Sequence, residues 1–245
     1  MRSRVPELLR VLLCALPLVA ADASADELMP FEVSYTWIWH GFTVAESKLQ
    51  LQKSDGDWIY QSRSEPQGIG RLMSERPVQR SLLRVTDGGV QPLTYQADDG
   101  TPSTKRDAEV TYDWSAHRVS GTYEDQKVDM PLVPGIQDDL SVQIAMMVEL
   151  LRGRTPDRFS LLDGNSVREY RYVREGEETL QTPVGSLATI IYRSQKAGSP
   201  RATRFWCAPS RGFIPVRVEQ KRKDEVEWTM RIESLQRPLN PVLPP

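Results

Sequence analysis

Short runs of alternating apolar and polar residues recur from Phe31 to Glu233, and they confine this chain to a β-rich fold. Successive side chains of a strand point to opposite faces, so alternation buries one face and wets the other. In the first run Val33, Tyr35, Trp37 and Trp39 alternate with Ser34, Thr36 and Ile38. Gly41 permits a tight turn, and Ala45 to Gln52, ending in Leu49 and Leu51, reads as the hairpin partner. Runs at Trp58–Ser64, Val78–Thr86, Val90–Gln96, Glu109–Trp114 and His117–Tyr123 follow. Turn clusters such as Ser54-Asp55-Gly56-Asp57 and Asp87-Gly88-Gly89 separate them. Further runs lie at Phe159–Leu162, Val167–Arg174, Glu178–Gln181, Leu187–Arg193, Thr203–Cys207, Ile214–Lys221 and Val226–Glu233.

The pattern breaks once. Asp138 or Asp139 can cap a helix that carries Leu140, Ile144, Met147 and Leu151 along one face, and Gly153 can stop it. Val142, Ala145, Met146, Val148 and Leu150 widen the apolar stripe until little of the helix is polar. Such a helix is covered on most sides. The expected fold is therefore mainly β: a curved, half-barrel-like antiparallel sheet wrapped around one central apolar helix. Residues Gly68 to Ser74 read as a short helical turn.

The first 25 residues read as an address. Arg2, Arg4 and Arg10 precede an apolar run from Val11 to Ala21, and Ala23-Ser24-Ala25 supplies the small residues of a cleavage site. Residues 1–25 are thus expected to be a cleavable signal peptide cut after Ala25, residues 26–236 one β-rich domain, and the proline-rich residues 237–245 an unstructured tail. No later apolar run approaches the roughly 20 residues needed to span a bilayer as a helix. Without the leader, 28 basic and 31 acidic residues remain, which points to neither nucleic acid nor anionic headgroups. Cys207 is the only cysteine of the expected mature chain, so it has no disulfide partner within it.

Chemistry-bearing constellations are scarce. His40 and His117 are the only histidines, and neither has zinc-ligand spacing. A catalytic Cys207 would need a histidine base; between Trp206 and Ala208 it reads as a small core residue. Nucleophile elbow, phosphate loop and dinucleotide fingerprint are all missing from the sequence. Asp98-Asp99 and Glu177-Glu178 read as turn residues. Arg168, Arg171, Arg174, Arg217, Arg222 and Arg231 read as an outer face with Glu169, Glu219 and Glu233 as cross-strand partners. No catalytic residue, metal or cofactor is expected, and the chain reads as non-enzymatic.

Several segments resemble the bacterial domain-of-unknown-function family 3108. They are Gly41-Phe42-Thr43-Val44-Ala45-Glu46, Tyr60 to Pro66, Pro134 to Ser141, Thr182 to Leu187, and Trp206-Cys207-Ala208-Pro209 followed by Pro215-Val216-Arg217. The resemblance implies export to the periplasm or envelope of a Gram-negative bacterium and a β-rich fold; it supplies no catalytic residues. The expected architecture is also similar, more distantly, to lipoprotein carriers of the LolA/LolB type.

Two functions remain open on this reading. In the first, Trp37, Trp39, Leu140, Ile144, Met147 and Leu151 line a hollow for an apolar or lipid-like ligand. In the second, the core is filled and the domain acts on an envelope protein partner through a sheet edge or outer face. A void of about 300 Å³ or more between helix and sheet would mark the first.

Overall fold

The computed structural model describes residues 27–72, 75–223 and 225–237. The leader with its Ala25 cleavage site, and the tail beyond Arg237, lie outside the described residues. The first half contributes β1 (Phe31–Trp39), β2 (Phe42–Ser54), β3 (Asp57–Pro66), β4 (Val78–Thr86), β5 (Gly89–Asp98), β6 (Ala108–Asp113), β7 (Arg118–Tyr123), β8 (Gln126–Pro131) and β9 (Ile136–Gln137). The helix α1 (Ser141–Leu151) follows. Then come β10 (Arg158–Asp163), β11 (Ser166–Thr182), β12 (Gly185–Lys196), β13 (Arg201–Ala208), β14 (Ile214–Arg222) and β15 (Glu225–Gln236).

All these strands form one sheet in the order β8-β7-β6-β5-β4-β3-β2-β1-β15-β14-β13-β12-β11-β10-β9. Two runs of hairpins are joined where β1 pairs with β15, and β8 and β9 end the sheet without pairing to each other. The result is a large, curved, unclosed sheet with one helix of α type among the described residues. One expectation is corrected: β9 runs parallel to β10, opposite Ser160 and Leu161, so the sheet is not wholly antiparallel. Three residues separate this short strand from the helix, and the first run of hairpins ends there.

Three local differences have simple causes. The sequence hides β8 because only Val128 of its six residues is fully covered. The two runs expected at 167–174 and 178–181 form the single strand β11, since Glu175 is absorbed as a bulge between Arg174 and Gly176. Trp114 lies in the turn after β6, where its indole N–H donates to the Pro92 carbonyl at 2.7 Å.

Alternation places Phe31, Val33, Tyr35, Leu49, Leu51, Tyr60, Leu83, Val110, Val119, Val128, Val216 and Ile232 in one buried cluster. Tyr35 meets the cost of burying its hydroxyl by donating to the Pro215 carbonyl at 2.7 Å. Packing between β6 and β7 is close enough to demand glycine at 121. A Cβ there would lie 2.0 Å from the Glu109 carbonyl oxygen, at a φ of +138°. We expect Gly121→Ala to destabilise by roughly 1–3 kcal/mol, read by urea denaturation.

The helix begins and ends as its sequence directs. Asp138 Oδ1 accepts from the Leu140 and Ser141 amides at 2.9 and 2.7 Å, and Ser141 Oγ accepts in return from the Asp138 amide at 2.8 Å. Of the two acids that could cap it, Asp138 does so. At the other end Gly153 has φ +69°, its amide reaches the Leu150 carbonyl and the Arg154 amide reaches Glu149. This double bond pattern is a Schellman stop. A Cβ at 153 would meet nothing within 4 Å, so Gly153→Val chiefly adds left-handed strain on a branched residue and should cost about 1–2 kcal/mol in thermal melts.

Candidate functional site

The helix face lies inside protein. Ile144 is 0% and Met147 1% exposed, and Leu140 and Leu151 are buried with them in the cluster that holds the inner sheet face. Met146 and Leu150 pack in a second cluster with Tyr172, Tyr192 and Cys207. Burial pushes the Cys207 thiol well above its ordinary range, so it is a poor nucleophile as well as a core residue.

Trp37 and Trp39 do not join them. Neither belongs to the two buried clusters, which corrects their assignment to a common hollow with the helix. Trp37 tilts against Trp228 with ring centroids 4.9 Å apart and donates from its indole to Ser47 Oγ at 2.6 Å. Trp39, 50% exposed, pairs across strands with Phe42, 60% exposed, and with Trp228. The physical reason is position along the strand. Alternation keeps these residues in step with Tyr35, but they extend past the covered length of β1, and bulges at Ser34/Tyr35 and Trp37/Ile38 shift the register.

At the N-terminus of α1 lies a polar cluster within the sheet's hold. Asp138, 1% exposed, also accepts from Ser81 Oγ of β4 at 2.8 Å. The neighbouring carboxylate of Asp139, an exposed residue, accepts from Tyr95 of β5 at 3.3 Å and from Tyr123 of β7 at 2.7 Å. Gln79 donates to the Tyr95 hydroxyl, while the buried Tyr112 hydroxyl of β6 has no partner among the described residues. Burial pushes the Asp138 carboxyl up to about 6, against the opposing pull of the Ser141 amide, Ser81 and the Leu140 amide. Burial and the two aspartates hold the Tyr95 and Tyr112 phenols well above their ordinary range, so both stay protonated donors. Sequence patterning alone left Ser81, Tyr95, Tyr112 and Tyr123 unassigned. The available signal was a pair of acids, three and two residues ahead of the serine that opens an apolar helix.

Clefts beside these groups are modest. One of about 280 Å³ sits at the C-terminal end of α1, lined by Leu28, Trp58, Val85, Val148, Leu151 and Arg152 among others. A larger open cleft of about 720 Å³ lies on the outer face of β3 to β7, over Gln61, Arg80, Gln96, Glu109 and Thr122. These residues are out of step with the buried Tyr60, Ser81, Tyr95 and Val110, so the cleft is separate from the helix. On its rim, the carboxylates of Asp98, Asp99 and Asp107 come together. They already accept from the Gly100, Thr101 and Asp99 amides, and Asp99 pairs with Arg106 at 2.7 Å. The expected cross-strand pairing of arginines with Glu169, Glu219 and Glu233 is corrected: Arg171 reaches Glu169 and Arg217 reaches the buried Glu219 within their own strands, Arg158, outside the expected set, reaches Glu169 across strands, and Glu233 accepts from Thr36.

A curved, open sheet of this kind is a β-barrel-like domain. The family described as "Protein of unknown function (DUF3108)" matches residues 30–230, and the chain belongs to that family. No curated protein matches the sequence. Among solved structures, a β-barrel-like protein of the DUF1849 family from Brucella abortus shares 9% identity and a TM-score of 0.56, covering 85% of this chain and 97% of its own. That likeness concerns the fold. A Bacteroides fragilis protein with a YmcC-like fold (11% identity, TM-score 0.37, 86% and 97% covered) and MucB in complex with MucA (10%, 0.19, 86% and 90%) are weaker likenesses. No helix among the described residues is long and apolar enough to cross a membrane, which leaves β-barrel spanning unaddressed.

Proposed function

We propose that this chain is an exported, non-enzymatic protein of the bacterial envelope, acting in the periplasm as a rigid scaffold that engages a protein partner. The observation that carries this reading is the burial of Ile144 and Met147, the two middle residues of the expected ligand-lining face, within one cluster with the sheet. The central, sheet-wrapped helix is then a structural plug. A carrier of acyl chains needs room along the helix face, and the cleft of about 280 Å³ that touches the helix lies at its C-terminal end, against Val148, Leu151 and Arg152 and not against Ile144 or Met147. Function moves accordingly to the exterior, where Trp39 and Phe42, paired across β1 and β2 and both exposed, offer apolar surface for a partner.

Site-specific photocrosslinking in the periplasm tests the reading. A photoreactive residue at Phe42 should yield one dominant protein adduct, and one at the solvent-facing Lys127 should not. Lipid adducts alone, or equal labelling at both positions, would contradict it.

A further inference from the structure

Asp138 carries its charge in an unusual setting. The side chain is closed off from solvent and held by two backbone amides and Ser81. The titratable groups facing it, from each packed element among the described residues, are Asp139 beside it, Tyr95 on β5 and Tyr112 on β6, while Tyr123 on β7 faces Asp139. Asp163 and Glu124 lie further out and act on Asp139. Every ionisable member of this set is acidic. A buried carboxylate normally needs a cation to balance its lost hydration, and none of these groups supplies one. Its hydrogen bonds nonetheless make it the joint between the first turn of α1 and β4, while Asp139 ties the same turn to β5 and β7.

We propose that this cluster is an acid-tightened latch: uptake of one proton at Asp138 fastens the start of the helix to the sheet, and its release in neutral medium loosens that joint. The proton sits on Oδ2 and donates to Ser81 Oγ, so the bond to β4 reverses its direction and is kept, the buried charge is removed, and Oδ1 stays free to accept from the amides. Burial raises the folded-state value to about 6, above the ordinary carboxylate range near 4. The folded protein therefore binds the proton more tightly than the unfolded chain. The added stability is full below about pH 4 and is lost as pH rises through about 6. The latch does not depend on what the protein binds.

Thermal melts between pH 7.5 and 5 test it. The wild type should gain roughly 5 °C on acidification over this range. Asp138→Asn, which keeps an oxygen for the amides without the charge, should lose most of that rise. Asp139→Asn should keep a smaller rise than the wild type, because burial raises the Asp139 carboxyl as well and its charge adds to the rise at Asp138. A carboxyl carbon titration of the wild type by NMR gives an independent value, so the test survives a variant that fails to fold. A flat wild-type profile, an equal rise in Asp138→Asn, or a titration midpoint for Asp138 near 4 would each overturn the latch.

Discussion

Ile144→Asp is expected to leave no folded protein. Ile144 has no exposed surface, and it belongs to the buried cluster that draws residues from both halves of the sheet. The substitution removes most of a buried aliphatic side chain, worth roughly 1.5–3 kcal/mol of transfer free energy. It also places a carboxylate among apolar groups with no cation in the cluster. An unpaired charge in such a place costs several kcal/mol even after the group protonates or water enters. The combined loss is comparable to the whole stability of a domain, about 5–15 kcal/mol. Circular dichroism should show loss of sheet signal and of any cooperative melt. A soluble variant with a wild-type melting profile would mean that α1 does not occupy this position.

Met147→Ala should cost roughly 2–5 kcal/mol, because a sealed core cannot collapse fully onto the missing atoms. Urea denaturation should show a lower midpoint with an unchanged slope, the sign of lost stability without altered unfolded-state exposure. The same truncation at the lip of a ligand hollow would remove few contacts, since the methionine would already face space or a mobile acyl chain. A loss under about 1 kcal/mol, accompanied by altered ligand content, would favour the hollow.

Much of this architecture is legible before any coordinates. Hairpins are local, so the turn at Asp87-Gly88-Gly89 and the alternation around it are enough to place β4 and β5. The helix is equally local, with its cap, apolar faces and glycine stop all within sixteen residues, 138 to 153. What the pattern could not convey depends on distance along the chain. Trp37 and Trp39 share the parity of Tyr35, yet parity is silent on how far along β1 the core extends. Likewise Asp138 and Asp139 are equivalent as caps in the sequence. Ser81, 57 residues away, receives one of them inside the sheet, while Tyr95 and Tyr123 hold the other at the surface. The parallel pairing of β9 arises in the same way, from a two-residue segment whose partner lies beyond the helix.

The central claim is that the space between helix and sheet is filled by the protein's own side chains. Native mass spectrometry of the protein purified from its own envelope, before and after solvent extraction, tests this most directly. The expected result is the mass of the polypeptide alone in both samples, with no lipid in the extract at stoichiometric amount. A one-to-one adduct of acyl-chain mass that is removed by extraction, and that is lost in Met147→Ala, would contradict it.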